Sequence, residues 1–253
     1  MNIDLNCDMG ESFGLYAFGQ DEALMPLITS ANIACGFHAG DPQVMAKTVR
    51  LAAKAGVAVG AHPGYPDLNG FGRRDMSLSG KEIEVILLYQ IGALVAFCRA
   101  EHVELSYVKP HGALYNRAVV DRVCAHAIAK AVMSFSKSLI LVGLAGSTLI
   151  EAGQDAGLRT ANEGFPDRTY LPDGCLMPRG QPGAVLVSPQ AVAEHAVQLV
   201  MEGIRIEKES GVHYLPVDTL CLHGDNPSAV ANAQHVTHKL KEAGVVLAPL
   251  ATK

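Results

Sequence analysis

The chain has 253 residues, of which 49% are hydrophobic and 18% charged, a composition typical of a folded domain with a sizeable apolar core. Its net charge of −5 is spread along the sequence, so no basic stripe indicates nucleic-acid binding. The N-terminus lacks a signal peptide's basic and apolar regions, and no run of about 18 apolar residues indicates a membrane span. Six scattered cysteines without a C-x-x-C pair fit a reducing compartment, so we expect a cytoplasmic protein.

Short apolar segments alternate with polar loops and amphipathic helices along the chain, a pattern that predicts parallel strands joined by helices. The predicted strands cover residues 3–7, 31–35, 57–61, 105–109, 139–143, 158–162 and 218–222. Residues 184–187 and 245–248 are predicted to form accessory strands or to complete a barrel. Because the sequence contains no linker segment, we expect a single α/β barrel domain over residues 1–253.

Helix starts are marked by capping residues, often followed by proline. The predicted starts are Asp41-Pro42, Ser79 with Glu82 as a capping box, Ser188-Pro189 and Asn226-Pro227. Prolines and glycines cluster between Gly164 and Gly183, which predicts a long functional loop or lid.

Ionisable residues concentrate directly after six of the seven predicted strands; the fifth strand instead runs into Ala145-Gly146-Ser147. In a barrel all these strand ends lie on one face, where such barrels carry their active sites. The sequence therefore predicts a functional pocket there. The candidate catalytic residues are Asp8, Glu11, His38, His62, Lys109 and His111, and the candidate substrate-binding residues are Asn6, Asn116, Glu163, Asp167, Arg168, His223 and Asp225.

Two kinds of chemistry fit this set of residues. The first is metal-assisted hydrolysis, in which a divalent ion activates water. The candidate metal ligands are Asp8, His38, His62 and His111. The second is metal-free acid–base chemistry, with Asp8 or Glu11 as general base, a histidine as general acid and Lys109 polarising a carbonyl.

Structural roles compete with several of these functional ones. Asp8 could cap the following turn, Asp41 is better explained as a helix N-cap, and Asp225-Asn226 could serve the last helix start. Arg168 could pair with Asp167 or Glu163, or it could bind a substrate carboxylate. Neither a Walker A motif nor a G-x-G-x-x-G follows any predicted strand, and the turn 143–147 is a weak phosphate-site candidate.

Seven sequence blocks occur in an order that resembles the LamB/YcsF family, over essentially the whole chain. They are DLNCDMGESFG from Asp4, ANIACGFHAGDP from Ala31, GAHPGYPD from Gly60, GFGRR from Gly70, VKPHGALYN from Val108, EGFPDRTY from Glu163 and LCLHGDNP from Leu220. The resemblance implies an irregular seven-stranded (β/α) barrel of the glycoside hydrolase/deacetylase type. It also implies one component of a prokaryotic 5-oxoprolinase, which opens 5-oxo-L-proline to L-glutamate.

That activity implies a need for ATP and Mg²⁺, which would act through a complex with partner subunits B and C. A homo-oligomer is a further expectation. A five-membered lactam is a stable amide, so phosphorylation of its oxygen would make the ring carbon electrophilic. One component would then phosphorylate the lactam and another would add water. The missing Walker motif suggests that this chain handles the lactam. Two alternatives remain: a stand-alone metal-dependent deacetylase or amidohydrolase, and a non-catalytic 5-oxoproline-binding subunit.

Overall fold

Parallel strands close into a barrel in the computed structural model, which describes residues 1–222, 224 and 228–250. The strands are β1 (Asn2–Met9), β2 (Ser30–Ala34), β3 (Ala58–His62), β4 (Leu105–Val108), β5 (Ile140–Leu144), β6 (Arg159–Gly164), β7 (Ile204–Lys208), β8 (Gly211–Leu215), β9 (Thr219–Leu222) and β10 (Val246–Leu247). Strands β1 to β6 pair in sequence order, and β9 closes the barrel by pairing with both β6 and β1. This confirms the seven-stranded barrel, with strand limits within two residues of those predicted.

Helices surround the barrel and follow the strands in βα order. They are α1 (Asp21–Leu24), α2 (Pro42–Ala55), α3 (Gly80–Ala100), α4 (Gly112–Val120), α5 (Arg122–Phe135), α6 (Thr148–Asp155), α7 (Pro189–Met201) and α8 (Ala229–Glu242). Three predicted caps are confirmed: Asp41 accepts from two backbone amides, Ser79 and Glu82 form the capping box, and Ser188 caps α7. The predicted start at 226–227 lies outside the described residues.

Helix α3 is, among the described residues, the one helix long and apolar enough to cross a membrane by length and composition alone. It packs an apolar stripe that includes Ile83, Leu87 and Leu94 against the rest of the protein. Its buried Gln90 exchanges hydrogen bonds with the backbone of Gly64, at 2.9 and 3.0 Å. These contacts are those of a helix in the outer layer of a barrel.

The accessory strands differ in part from the prediction. Residues 245–248 contain β10, which pairs in parallel with β1. The prediction of a strand at 184–187 is wrong: this segment joins the long loop after β6, where the Leu186 amide donates to the Asp167 carbonyl at 2.8 Å. Sequence reasoning also missed the antiparallel hairpin β7–β8, which pairs outside the barrel and is exposed over much of its length.

The barrel interior carries a polar layer between its apolar walls. The Asp4 carboxylate accepts hydrogen bonds from the hydroxyls of Thr29, Ser30 and Thr219. Burial raises the pKa of Asp4, and the three hydroxyl donors oppose that shift. Because its oxygens are satisfied by neighbouring strands, Asp4 ties the barrel together below the pocket described next.

Candidate functional site

A cavity of about 510 Å³ opens at the C-terminal ends of the barrel strands. Its walls come from the ends of β1, β3, β4 and β5, from helix α4 along its whole length, and from the loops that follow β3 and β6. The charged and imidazole side chains that line it are Asp8, His62, Arg73, Lys109, His111, Arg168 and Arg179. The functional pocket predicted from the strand ends therefore lies where barrel geometry places it.

Lys109 lies at the floor of this cavity, with only 3% of its side chain exposed. Its Nζ lies 2.7 Å from Glu163 Oε1 and 3.3 Å from Asp8 Oδ1. It also donates to Asn6 Oδ1 at 3.2 Å and to Cys221 Sγ at 3.0 Å. We call these five residues the lysine cluster. Burial disfavours the charged form of Lys109, but Asp8 and the other anionic neighbours prevail and raise its pKa well above the ordinary value.

Glu163 is fully buried and completely hydrogen-bonded within this cluster. It accepts from Asn6 Nδ2 at 3.0 Å and from the Tyr115 hydroxyl at 2.8 Å, besides its ion pair with Lys109. Asn6 is itself held by Thr219, whose hydroxyl accepts from Nδ2 at 2.7 Å. The lysine cluster is therefore a preorganised network that spans β1, β4, β6 and β9.

Beside it lies a second group, the histidine cluster, made of Glu11, His38, His62 and His111. His62 Nδ1 lies 2.8 Å from the Lys109 carbonyl, and His111 Nε2 lies 2.8 Å from the Phe71 carbonyl. A carbonyl only accepts, so each of these nitrogens carries the proton of a neutral ring. The two facing nitrogens, His62 Nε2 and His111 Nδ1, lie 3.1 Å apart and are both unprotonated when the rings are neutral. A shared cation would stabilise this arrangement.

Burial lowers the pKa of His111 to about 3, and the nearby His62 adds to the effect. Burial also lowers the pKa of His38 well below its ordinary value, with further contributions from His111 and His62. Both rings are therefore neutral near pH 7, which is the form that can accept a proton or bind a metal ion.

His38 is buried, and within the described part of the chain neither ring nitrogen has a hydrogen-bond partner. Its Nε2 lies 4.0 Å from Glu11 Oε1, and its ring stacks on His111 with centroids 3.8 Å apart. The stack depends on Gly72, which has a φ of +64°, because a Cβ there would lie 2.7 Å from His38 Cβ. A buried imidazole with two unpaired nitrogens indicates a site that receives another group.

The histidine cluster has the composition of a divalent metal site. Its four residues each offer one ligand atom, and these atoms lie within 4.8 Å of one another. Three imidazoles and one carboxylate suit zinc and neighbouring transition metals. An imidazole binds metal in its ring plane, so His38 and His111 could share one ion only if their stack opened. Glu11 occupies the place in this group that the sequence prediction assigned to Asp8, which lies alongside and contacts Lys109.

The remaining predicted residues have varied positions. Asn116 and Arg168 line the cavity, and Asp167 is buried in the loop after β6. Arg168 Nε donates to the Ala184 carbonyl at 3.2 Å, so the guanidinium is anchored to the loop backbone. The predicted residues His223 and Asp225 lie outside the described residues. Ser147 caps α6, which accounts for the turn after β5.

Sequence reasoning missed several cavity residues. Tyr115, which donates to Glu163, follows His111 by one helical turn, a spacing that could have indicated a shared face. Cys221 precedes a candidate strand end, but an isolated cysteine is most often a buried apolar residue. Arg73 and Arg179 lie in loops, where the sequence contains no periodic signal that could place them.

Comparison with known proteins supports the same interpretation of the fold. Residues 3–253 match the model of the LamB/YcsF family. A relative from Symbiobacterium thermophilum, named as the A component of 5-oxoprolinase, is 56% identical over 96% of this chain and 93% of its own length. The crystal structure of a lactam utilization protein from Thermus thermophilus superposes with a TM-score of 0.92, at 49% identity, covering 99% of this chain and 100% of that one.

A more distant likeness concerns the fold alone. The catalytic domain of a peptidoglycan N-acetylglucosamine deacetylase from Eubacterium rectale superposes with a TM-score of 0.51 at 13% identity, covering 99% of this chain and 88% of that one. This confirms the predicted deacetylase-type barrel. The family match over nearly the full length, together with relatives above 50% identity, leads to one conclusion: the chain belongs to the LamB/YcsF family.

Proposed function

We propose that this chain is the lactam-handling component of an ATP-dependent 5-oxoprolinase, which converts 5-oxo-L-proline to L-glutamate. The observation that supports this most directly is the lysine cluster, in which a buried lysine contacts two carboxylates. The cluster lies at the floor of the cavity, on the face where such barrels carry their active sites. The names of the relatives in Symbiobacterium and Thermus point to the same cyclic amide chemistry.

Asp8 is the best-placed group to accept a proton from attacking water. It lines the cavity with 14% of its side chain exposed, and Lys109 Nζ and Asn32 Nδ2 hold its Oδ1 at 3.3 and 2.8 Å. These contacts keep the carboxylate oriented towards the substrate space. Lys109, which shares the cavity floor, would stabilise negative charge on the oxygens attached to the ring carbon as that carbon becomes tetrahedral.

ATP is needed because the lactam amide is resistant to water. Phosphorylation of the amide oxygen would make the ring carbon electrophilic. Water would add there, the C–N bond would break as the nitrogen takes up a proton, and a second water would release phosphate from the resulting acyl phosphate to leave L-glutamate. We propose that partner subunits B and C supply the ATP and Mg²⁺ site. The chain contains no Walker A motif. Use of ATP and six unpaired cysteines fit the proposed cytoplasmic location.

A divalent metal ion in the histidine cluster would be held by His62, Glu11, His38 and His111, the last two together only once their ring stack opens. When bound, such an ion lowers the pKa of water and polarises a carbonyl. The unpaired nitrogens of His38 support its presence. The chain's own residues would still orient the substrate, since Asp8 and Lys109 are held by hydrogen bonds within the protein.

The test is release of glutamate from 5-oxo-L-proline and ATP by the full chain, alone and mixed with candidate B and C subunits. We expect glutamate only in the complete mixture, and a loss of about 100-fold or more with Asp8→Asn, which keeps the size but removes the base. His235→Asn on the exposed face of α8 is the matched control and should retain activity. Absence of glutamate in every mixture of folded subunits would refute the proposal.

A stand-alone metal-dependent amidohydrolase is the second candidate, because the histidine cluster has a metal-site composition. It predicts hydrolysis of an amide or acetylated sugar without ATP, lost on chelation and restored by a divalent metal. A non-catalytic 5-oxoproline-binding subunit would instead retain ATP-dependent turnover after Asp8→Asn.

A further inference from the structure

Charge is unevenly distributed along the cavity. At its floor Lys109 faces two carboxylates, Asp8 and Glu163, so this end disfavours the full negative charge of a free carboxylate. The rest of the lining contributes three guanidiniums, from Arg73, Arg168 and Arg179. Among the described residues that line the cavity, Asp8 is the only carboxylate. Within the described lining, arginines therefore outnumber carboxylates, in a protein whose net charge is −5.

Arg168 is the inner member of this group and is itself buried, with 6% exposed. Its guanidinium donates hydrogen bonds to the backbone carbonyls of Ala184 and Met177. These acceptors are neutral, so they hold the guanidinium in place without neutralising its charge. Burial lowers the pKa of Arg168, and repulsion from Arg179 lowers it further, whereas Asp167 acts in the opposite direction. Two guanidiniums close enough to repel each other face one cavity.

Arg73 reaches the cavity from the loop that follows β3. Its guanidinium lies over the Phe71 ring, 5.0 Å from the centroid, and Phe71 in turn contacts His111. Arg73 and Arg179 are exposed, whereas Lys109 and Asp8 are buried below them. The three arginines thus come from two loops, Arg73 from the loop after β3 and Arg168 and Arg179 from the loop after β6, and we call these three residues the cationic mouth.

We infer that the cationic mouth binds the carboxylate of a carboxylated lactam and so directs its amide towards the floor of the cavity. This rests on the proposed function and adds to it the residues that select the substrate. A guanidinium binds a carboxylate through paired hydrogen bonds, and it does so best where water is excluded. The amide end of the lactam is neutral and suits the floor, where the charge of Lys109 is already paired with carboxylates.

The test compares two ligands, 5-oxo-L-proline and 2-pyrrolidinone, which has the same ring without the carboxylate. Their dissociation constants for the full chain are measured by ligand-detected NMR titration. We expect 5-oxo-L-proline to bind at least about tenfold more tightly. Arg179→Gln should weaken it by about 10- to 100-fold and leave 2-pyrrolidinone within about twofold. Arg179 is chosen because Arg168 also holds the loop backbone.

Arg159→Gln is the matched control, since Arg159 is exposed at the opposite end of β6 and should not affect either ligand. Equal losses for both lactams with Arg179→Gln, or no preference in the unchanged protein, would overturn the inference. The inference would also be overturned if the protein bound none of the three ligands, 5-oxo-L-proline, 2-pyrrolidinone and acetate. A third contrary result would be an Arg179-dependent affinity for ATP that exceeds the affinity for 5-oxo-L-proline.

Acetate separates this inference from the proposed function. If acetate binds in an Arg179-dependent manner but the complete subunit mixture yields no glutamate, the mouth is an anion site in a protein with another substrate. If glutamate forms and Arg179→Gln raises KM for 5-oxo-L-proline without lowering kcat, both proposals stand.

Discussion

The lysine cluster and the histidine cluster lie side by side in one barrel, yet they differ in how far their polar atoms are satisfied. Lys109 and Glu163 are surrounded by partners from four strands, so the lysine cluster is complete within the protein. His38 has no partner for either nitrogen in the described residues, and His62 Nε2 lies 3.1 Å from His111 Nδ1. A completed network stabilises the fold and holds Asp8 and Lys109 in place, whereas an incomplete one can bind a further group through its unpaired atoms.

Lys109→Met tests the first half of this comparison and should have the largest effect. It leaves Asp8 and Glu163 without their cation, one of them fully buried, which should lower the free energy of unfolding by about 3–5 kcal/mol. Urea denaturation measures the change. Combining it with Glu163→Gln should recover part of the loss, because the buried negative charge is then removed. A loss below about 1 kcal/mol would show that the lysine cluster does not stabilise the barrel.

Tyr115→Phe removes a single donor to Glu163 and should have a smaller effect. The lost hydrogen bond is to a charged acceptor at 2.8 Å, so we expect a loss of about 1.5–3 kcal/mol in the free energy of unfolding. Tyr170→Phe is the comparison, because among the described residues the hydroxyl of Tyr170 accepts its hydrogen bond from a neutral group, the Phe165 amide. If Tyr170→Phe lowered the free energy of unfolding more than Tyr115→Phe does, the hydrogen bond to Glu163 would not be the stronger of the two.

Lowering the pH should destabilise the protein through the histidine cluster. The pKa of His111 is lowered from 6.5 to about 3, so the unfolded chain binds its proton first as the pH falls. Stability from the neutral ring is complete above pH 6.5 and declines between pH 6.5 and 3, by about 1.4 kcal/mol per pH unit. Unfolding of chelator-treated protein across this range, compared with His111→Asn, isolates the contribution. Identical slopes for the two proteins would contradict the neutral, buried ring.

His38→Leu should have the smallest effect on stability and a clear effect on binding. The ring has no hydrogen bond to lose among the described residues, so an apolar side chain of similar size should change the free energy of unfolding by less than about 1 kcal/mol. Metal content, measured by mass spectrometry after exposure to Zn²⁺, should fall. His62→Leu is the contrast, since it loses the contact with the Lys109 carbonyl and should cost more. Equal losses in the free energy of unfolding for the two variants would contradict the difference in hydrogen bonding between His38 and His62.

Much of the architecture could be predicted from local patterns. Apolar runs such as Ile140–Leu144 identify the buried parallel strands, and Asp41 and Ser79 mark helix starts because their side chains satisfy free amides. The polar residues after strands indicate the functional face, since every parallel strand of a barrel ends on the same side. Hairpin β7–β8 was missed because it packs outside the barrel and is largely exposed.

Closure of the barrel decided the chemistry of the site. The pairing of β9 with both β6 and β1 brings Glu163 to Asn6 and Lys109, residues that lie more than fifty positions away in the chain. Strand-end position alone could not distinguish Asp8 from Glu11, because their roles depend on which neighbour each carboxylate reaches. Arg73 and Arg179 come together only through loop packing. The sequence by itself determined which residues reach the active face, through hydrophobic period and capping, whereas the partners of each side chain depend on long-range contacts that only the tertiary structure sets.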